Sequence, residues 1–155
     1  MSRAATDSTP FVNATLVSLR LVIGLAVFVS EGVQKFLYPE VLGAGRFADI
    51  GIPYPDFMGP AVGATEILCG LALAIGWRTR WFSLPLIGVM CVALLSTKLP
   101  ILLGSDLWIF NVRTLPRYGL LSALHEARTD LTVLAGLLVL YASNGGRWSI
   151  DSRGR

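Results

Sequence analysis

The chain has 155 residues, 54% of them hydrophobic and only 15% charged, with a mean hydropathy of +0.64. That composition excludes an ordinary soluble domain and points to a polytopic membrane protein. The net charge of +3 is a modest excess, suited to loops that face anionic lipid. No basic cluster interleaved with exposed aromatics is present for nucleic acid to grip.

Residues 1–10 hold one arginine and one aspartate, a weak start for a signal peptide. The apolar run that follows, 13–36, keeps Arg20 inside it and is too long for a signal core, so it reads as a retained first helix. Three more apolar runs cover 57–76, 81–103 and 119–141. Each approaches the ~20 residues that cross a ~30 Å hydrocarbon core. They predict an all-α fold: one integral-membrane domain over 1–155, a four-helix transmembrane bundle.

The first break, Tyr38–Asp56, is rich in glycine and proline. The second, Gly76–Arg80, is short. The third, Gly104–Tyr118, is long and carries Trp108, Phe110, Arg113 and Arg117. An even number of crossings puts both long loops on one side and the short turn and both termini on the other. The terminal side holds Arg3, Arg78, Arg80, Arg147, Arg153 and Arg155; the loop side holds Arg46, Arg113 and Arg117. Over residues clearly outside the membrane, this bias favours cytoplasmic termini. Tyr38, Trp77, Trp81, Trp108 and Trp148 suit interfacial belts on the two faces.

Seven ionisable residues lie inside or at the ends of the apolar runs: Arg20, Glu31, Lys35, Glu66, Lys98, Glu126 and Asp130. Intramembrane charge is costly, and by default it marks a functional site. On the first helix, Arg20, Gly24, Glu31 and Lys35 share a narrow stripe. Glu31 and Lys35 are spaced i,i+4, the acid first, which favours a pair. The bland alternative has Lys35 snorkelling to the interface with Glu31 as its counter-ion. Arg20 is nearer the other face and reads equally well as a snorkelling residue there.

On the second helix, Gly59, Gly63, Glu66 and Gly70 share one face. The glycines are expected to permit close helix packing. Glu66 then falls at a helix–helix contact, roughly 13 Å deep at 1.5 Å per residue, where a carboxylate needs a cation beside it. Helix four opens with His125, Glu126, Ala127, Arg128, Thr129 and Asp130. Glu126 and Asp130 occupy one face, His125 and Arg128 another. Topology brings Glu31, Lys35, Lys98, His125, Glu126, Arg128 and Asp130 to the loop side, with Glu66 deeper. This is the expected polar site, suited to proton transfer, to holding a polar head group, or to salt bridges that lock the helices. A single histidine does not make a metal site. No haem, dinucleotide or phosphate-loop motif is present, so no intrinsic cofactor is expected. Cys69 and Cys91 form no CxxC; they read either as a redox pair or as two small buried hydrophobes.

The chain resembles the DoxX family of small bacterial membrane proteins. The resemblance rests on Arg20, Gly24, Phe28, Gly32 and Lys35, on Gly51-Ile52-Pro53, and on Glu66, Gly70, Gly76 and Arg80. It ends in His125-Glu126-Ala127-Arg128-Thr129-Asp130-Leu131 and Trp148-Ser149-Ile150-Asp151. It implies a multi-pass protein of the bacterial inner membrane, linked to membrane oxidoreductase systems. Arg20, Lys35, Glu66, His125 and Asp130 carry over as site or core positions. The expected function is an accessory subunit of a quinone-linked system, anchoring a larger redox complex and contributing to a quinone or proton site. The alternative is a non-enzymatic scaffold or assembly factor, alone or as a homo-oligomer. A transporter is less favoured, because paired broken helices are lacking. Beyond these, the only partner expected is membrane lipid.

Overall fold

The computed structural model describes residues 10–146 and 148–150. Arg3, Arg147, Asp151, Arg153 and Arg155 lie outside the described residues. Within them, the regular structure is helical apart from one isolated bridge between Leu107 and Phe110. Helix α1 runs Pro10–Leu37, α2 Ala44–Asp49, α3 Pro55–Ile75, α4 Thr79–Leu103 and α5 Leu120–Ser143.

The stops and starts follow from local chemistry. Pro55 opens α3 at its first turn, where the missing N–H costs nothing. Gly76, Gly104 and Asn144 end α3, α4 and α5 in the left-handed conformation. Two helices change pitch partway along. Ala26–Val33 in α1 and Leu94–Lys98 in α4 are π-helical. In α4 the cause is visible: Pro100 has no N–H for the Ser96 carbonyl, and the wider turn accommodates the loss.

Three helices, α1, α3 and α4, are long and apolar enough to cross a membrane. At 24 residues, α5 reaches about 36 Å, but its composition differs. Every 18-residue stretch of it contains Glu126, Arg128 and Asp130, more charge than a plain span carries. The expected fourth apolar span is thus matched in length but not in apolarity.

The long helices form a closed ring, α1 on α3, α3 on α4, α4 on α5 and α5 on α1. Along the axis the bundle has two layers. In the terminal-side layer, Ile23, Val27, Leu73, Leu86, Met90, Val133, Leu137 and Leu140 form the core with Cys69. In the loop-side layer every helix switches to polar groups at one level. Close approach of α1 and α3 is set by glycines. A Cβ on Gly70 would lie 2.8 Å from the Gly24 carbonyl oxygen, and one on Gly32 would lie 2.9 Å from the Ile67 backbone nitrogen.

Both long loops meet on one side. Asn111 donates from its backbone N–H to the Ile50 carbonyl (3.1 Å) and from Nδ2 to the Asp49 carbonyl (3.0 Å). Gly51, at φ 82°, lets the two backbones touch there. Trp108 at the tip of the third loop is 90% exposed, as an interfacial anchor requires. The two cysteines are free thiols. Cys69 is in the core, whereas Cys91 is exposed, so only one fits the reading of a small buried hydrophobe.

Candidate functional site

The loop-side layer encloses a cavity of about 530 Å³, within the range of small-molecule sites. Helices α1, α3, α4 and α5 supply its walls, and α2 with the residues after it supplies the roof through Arg46, Phe47, Ile50 and Ile52. One wall is apolar, formed by Met58, Val62, Val89, Met90 and Val92. The third loop reaches the roof by its bonds to residues 49 and 50 and does not line the cavity.

Six of the expected site residues line this space: Glu31, Lys35, Glu66, Lys98, Glu126 and Asp130. Lys35 stands at the centre of the deepest contacts. Its Nζ is 2.7 Å from Glu66 Oε2 and 3.4 Å from Glu31 Oε2, and it donates to the Glu31 carbonyl at 3.1 Å. The Lys35 side chain is only 9% exposed and that of Glu66 2%. Lys35 therefore does not snorkel; it crosses from α1 to the carboxylate of α3. Glycine packing makes that reach possible, because Gly32 and Gly63 bring the two backbones together one turn away. Glu31 remains 41% exposed and links the pair to the loop-side surface.

A second pair, Lys98 Nζ to Asp130 Oδ2 at 3.4 Å, joins α4 to α5. At the rim, Arg113 of the third loop is 3.9 Å from Glu126. The other expected residues lie elsewhere. His125 and Arg128 are on the exposed face of α5, where Arg128 Nη1 donates to the His125 carbonyl at 2.6 Å. Arg20 sits in the terminal-side layer, 3% exposed. Its Nη1 and Nη2 donate to the carbonyls of Gly145 and Trp148, each at 3.0 Å. The reading of Arg20 as a snorkelling residue is thus corrected: it ties the segment that follows α5 to α1. Gly59 packs on Gly43 and Ala44 of the roof, and Gly63 on Phe36 and Lys35.

Two lining residues escape sequence reasoning. Arg46 reads there only as a loop charge. Ser96 hides in the run Leu94-Leu95-Ser96-Thr97-Lys98-Leu99-Pro100, although three successive polar residues before a proline in an apolar run are a usable signal. Both π-helical segments border the cavity through Ser30, Glu31, Ser96, Thr97 and Lys98. Such segments concentrate at functional sites. Among the described residues no group of three or more His, Cys, Asp and Glu could hold a metal ion.

The DoxX family model matches residues 15–99, which contain Glu31, Lys35, Glu66 and Lys98. An uncharacterized membrane protein of Mycobacterium tuberculosis, Rv3486, is 43% identical over 140 residues, covering 90% of this chain and 80% of that relative. No solved structure is a significant match. With more than half of the chain matched to the family model, and with a relative this similar over most of both sequences, the protein is a membrane protein of the DoxX family.

Proposed function

We propose that this protein is an accessory integral-membrane subunit of a quinone-linked oxidoreductase system, and that the loop-side cavity receives the quinone head. In this reading α5 is the fourth crossing. Its charged first half is sheltered against α4 and the cavity, and both termini are in the cytoplasm of a bacterial cell. One observation carries the reading: a cavity of suitable size has an apolar wall on one side and two lysine–carboxylate pairs, one buried and one half-buried, on the other.

The residues present fit such a ligand. Quinone carbonyls accept hydrogen bonds, and Lys35, Lys98 and Arg46 are donors on the cavity wall. The chemistry supplied by a quinone there is uptake of two electrons, from a redox subunit docked alongside, and of two protons. Lys35 holds a proton between two carboxylates, and Glu31 extends that chain of groups to the exposed side. The apolar wall excludes water from the deep end, which strengthens each electrostatic contact.

A scaffold reading keeps one specific support. Lys98–Asp130 fastens α4 to α5, and Arg113–Glu126 fastens the third loop to α5. Charges so placed specify one helix arrangement. Purification from native membranes in mild detergent separates the two. Mass spectrometry should find a redox subunit at stoichiometric ratio and a retained quinone, and the quinone should be lost from a Lys35→Met/Glu66→Leu double variant that still folds. A bare homo-oligomer carrying only bulk lipid would overturn the redox reading in favour of the scaffold.

A further inference from the structure

The pairs described above leave one cation and one fully buried hydroxyl on the cavity wall without partners. Among the described residues, Arg46 has no ion-pair or hydrogen-bond partner for its guanidinium. Ser96 is 1% exposed, lines the cavity, and its Oγ has no hydrogen-bond partner either. A buried hydroxyl in a helix ordinarily bonds to a carbonyl one turn back; Thr97 and Thr65 do so here, and Ser96 does not. An unmatched buried donor is expensive in so apolar a setting. The lysines differ, because each already faces a carboxylate. Of the three cations on the cavity wall, Lys35, Arg46 and Lys98, Arg46 alone has no carboxylate within ion-pair distance, so the roof beside Ser96 is the part of the lining that can still donate to acceptor oxygens.

The cavity also has a side opening. Gly88 lines it and is itself exposed, and nothing lies within 4 Å of where its Cβ would stand. Val92, one turn further along α4, is 52% exposed and lines it too. Gly88 is about 14 Å from the start of α4 at 1.5 Å per residue. That depth is within hydrocarbon, so the opening faces lipid tails and not water.

We propose that the cavity takes an anionic amphiphile from the bilayer: an acidic head with two or more acceptor oxygens meets Arg46 and Ser96, and an apolar tail passes out beside Gly88 and Val92. This rests on the reading of the cavity as a ligand site, but not on the ligand being a quinone. Four carboxylates also line the cavity, and each has a cation near it: Glu31 and Glu66 share Lys35, Asp130 faces Lys98, and Glu126 is 3.9 Å from Arg113, so the head is placed at the roof by Arg46 and not beside them. Arg46 supplies the planar fork that matches carboxylate or phosphate oxygens.

The test uses the full chain in a neutral detergent, with binding read by native mass spectrometry and by thermal shift. The probes are a long-chain fatty acid, the fatty alcohol of the same length, acetate, and a short-tailed quinone. The fatty acid is expected to bind at least about tenfold more tightly than the alcohol, as loss of charge-assisted hydrogen bonds implies, and acetate is expected not to bind. Arg46→Gln should reduce fatty-acid affinity about tenfold and leave the alcohol unchanged. Gly88→Phe, placed where nothing lies within 4 Å of the added Cβ, should abolish binding of both long-chain probes. Equal binding of acid and alcohol, or an unchanged Arg46→Gln, would overturn the head assignment. Binding of acetate as tight as that of the fatty acid would make this a site for a soluble anion, and full binding in Gly88→Phe would place the amphiphile on the outer surface. Quinone binding that is lost in Gly88→Phe, with no fatty-acid binding, would overturn this inference and leave the proposed function standing. Fatty-acid binding as expected, with no quinone bound, would do the reverse.

Discussion

The two layers of the bundle each bury charge, and they do it differently. In the terminal-side layer Arg20 reaches carbonyls of the segment that follows α5, beside the apolar core formed by all four long helices. In the loop-side layer Lys35 and Lys98 face carboxylates across helix interfaces, and the space beside them is a cavity. Both arrangements meet the same physical demand, since an ionised group in hydrocarbon needs compensation. What separates them is the neighbour. A guanidinium packed against core and backbone fixes the chain, whereas an ion pair on a cavity wall is available to something else. An intramembrane charge alone therefore does not identify a site; the space next to it does.

The largest expected effect comes from breaking the loop-side pair on one side only. Lys35→Met leaves the Glu66 carboxyl buried with no cation, a change that costs about 3–5 kcal/mol for buried pairs. The double variant Lys35→Met/Glu66→Leu removes the orphan and should regain most of that loss. Thermal unfolding in detergent measures both. A neutral single variant would mean that the pair is not desolvated, and the contrast between the layers would disappear.

Arg20→Leu comes next. It leaves the buried Gly145 carbonyl and the half-buried Trp148 carbonyl without their donor, a loss of roughly 1–3 kcal/mol. Ligand retention by the surviving folded protein should be unchanged, because Arg20 does not line the cavity. A loss of retention without loss of stability would place Arg20 in the functional machinery and erase the distinction between the two layers.

Much of this was legible in the residues, and the illegible parts have identifiable causes. Three apolar runs became α1, α3 and α4 because length and hydropathy alone decide such spans. The glycine face of α3 put Glu66 at a helix contact, since small residues draw backbones together. A helical wheel also separated Glu126 and Asp130 from His125 and Arg128 on α5. It could not say which pair turns inward; Asp130 does, because Lys98 of α4 is there to meet it. Angular register on α1 fails beyond Ala26, where each π-helical turn takes up an extra residue. Arg46 was hidden because Tyr38–Asp56 reads as a Gly/Pro-rich break, and the short helix α2 within it acquires its position only from packing on α3. The role of Arg20 depends on a contact across 125 residues of sequence, which no local pattern encodes.

The smallest effects give the sharpest comparison, because they use one substitution in two places. Gly70→Ala belongs to the packed layer. Its Cβ would stand 2.8 Å from the Gly24 carbonyl oxygen and 2.8 Å from the Phe28 nitrogen. Those are backbone atoms, so α1 and α3 must part, at about 1–3 kcal/mol. Gly88→Ala adds the same methyl group beside the cavity, where nothing lies within 4 Å. There the change removes a poor helix former from the interior of α4, and stability should rise by up to about 1 kcal/mol. The two variants should thus move the melting temperature in opposite directions. If Gly88→Ala were as harmful as Gly70→Ala, α4 would have to be covered at that point, as by a second copy of the chain. The side opening would then be an interface, and the loop-side cavity would be reached only through its roof.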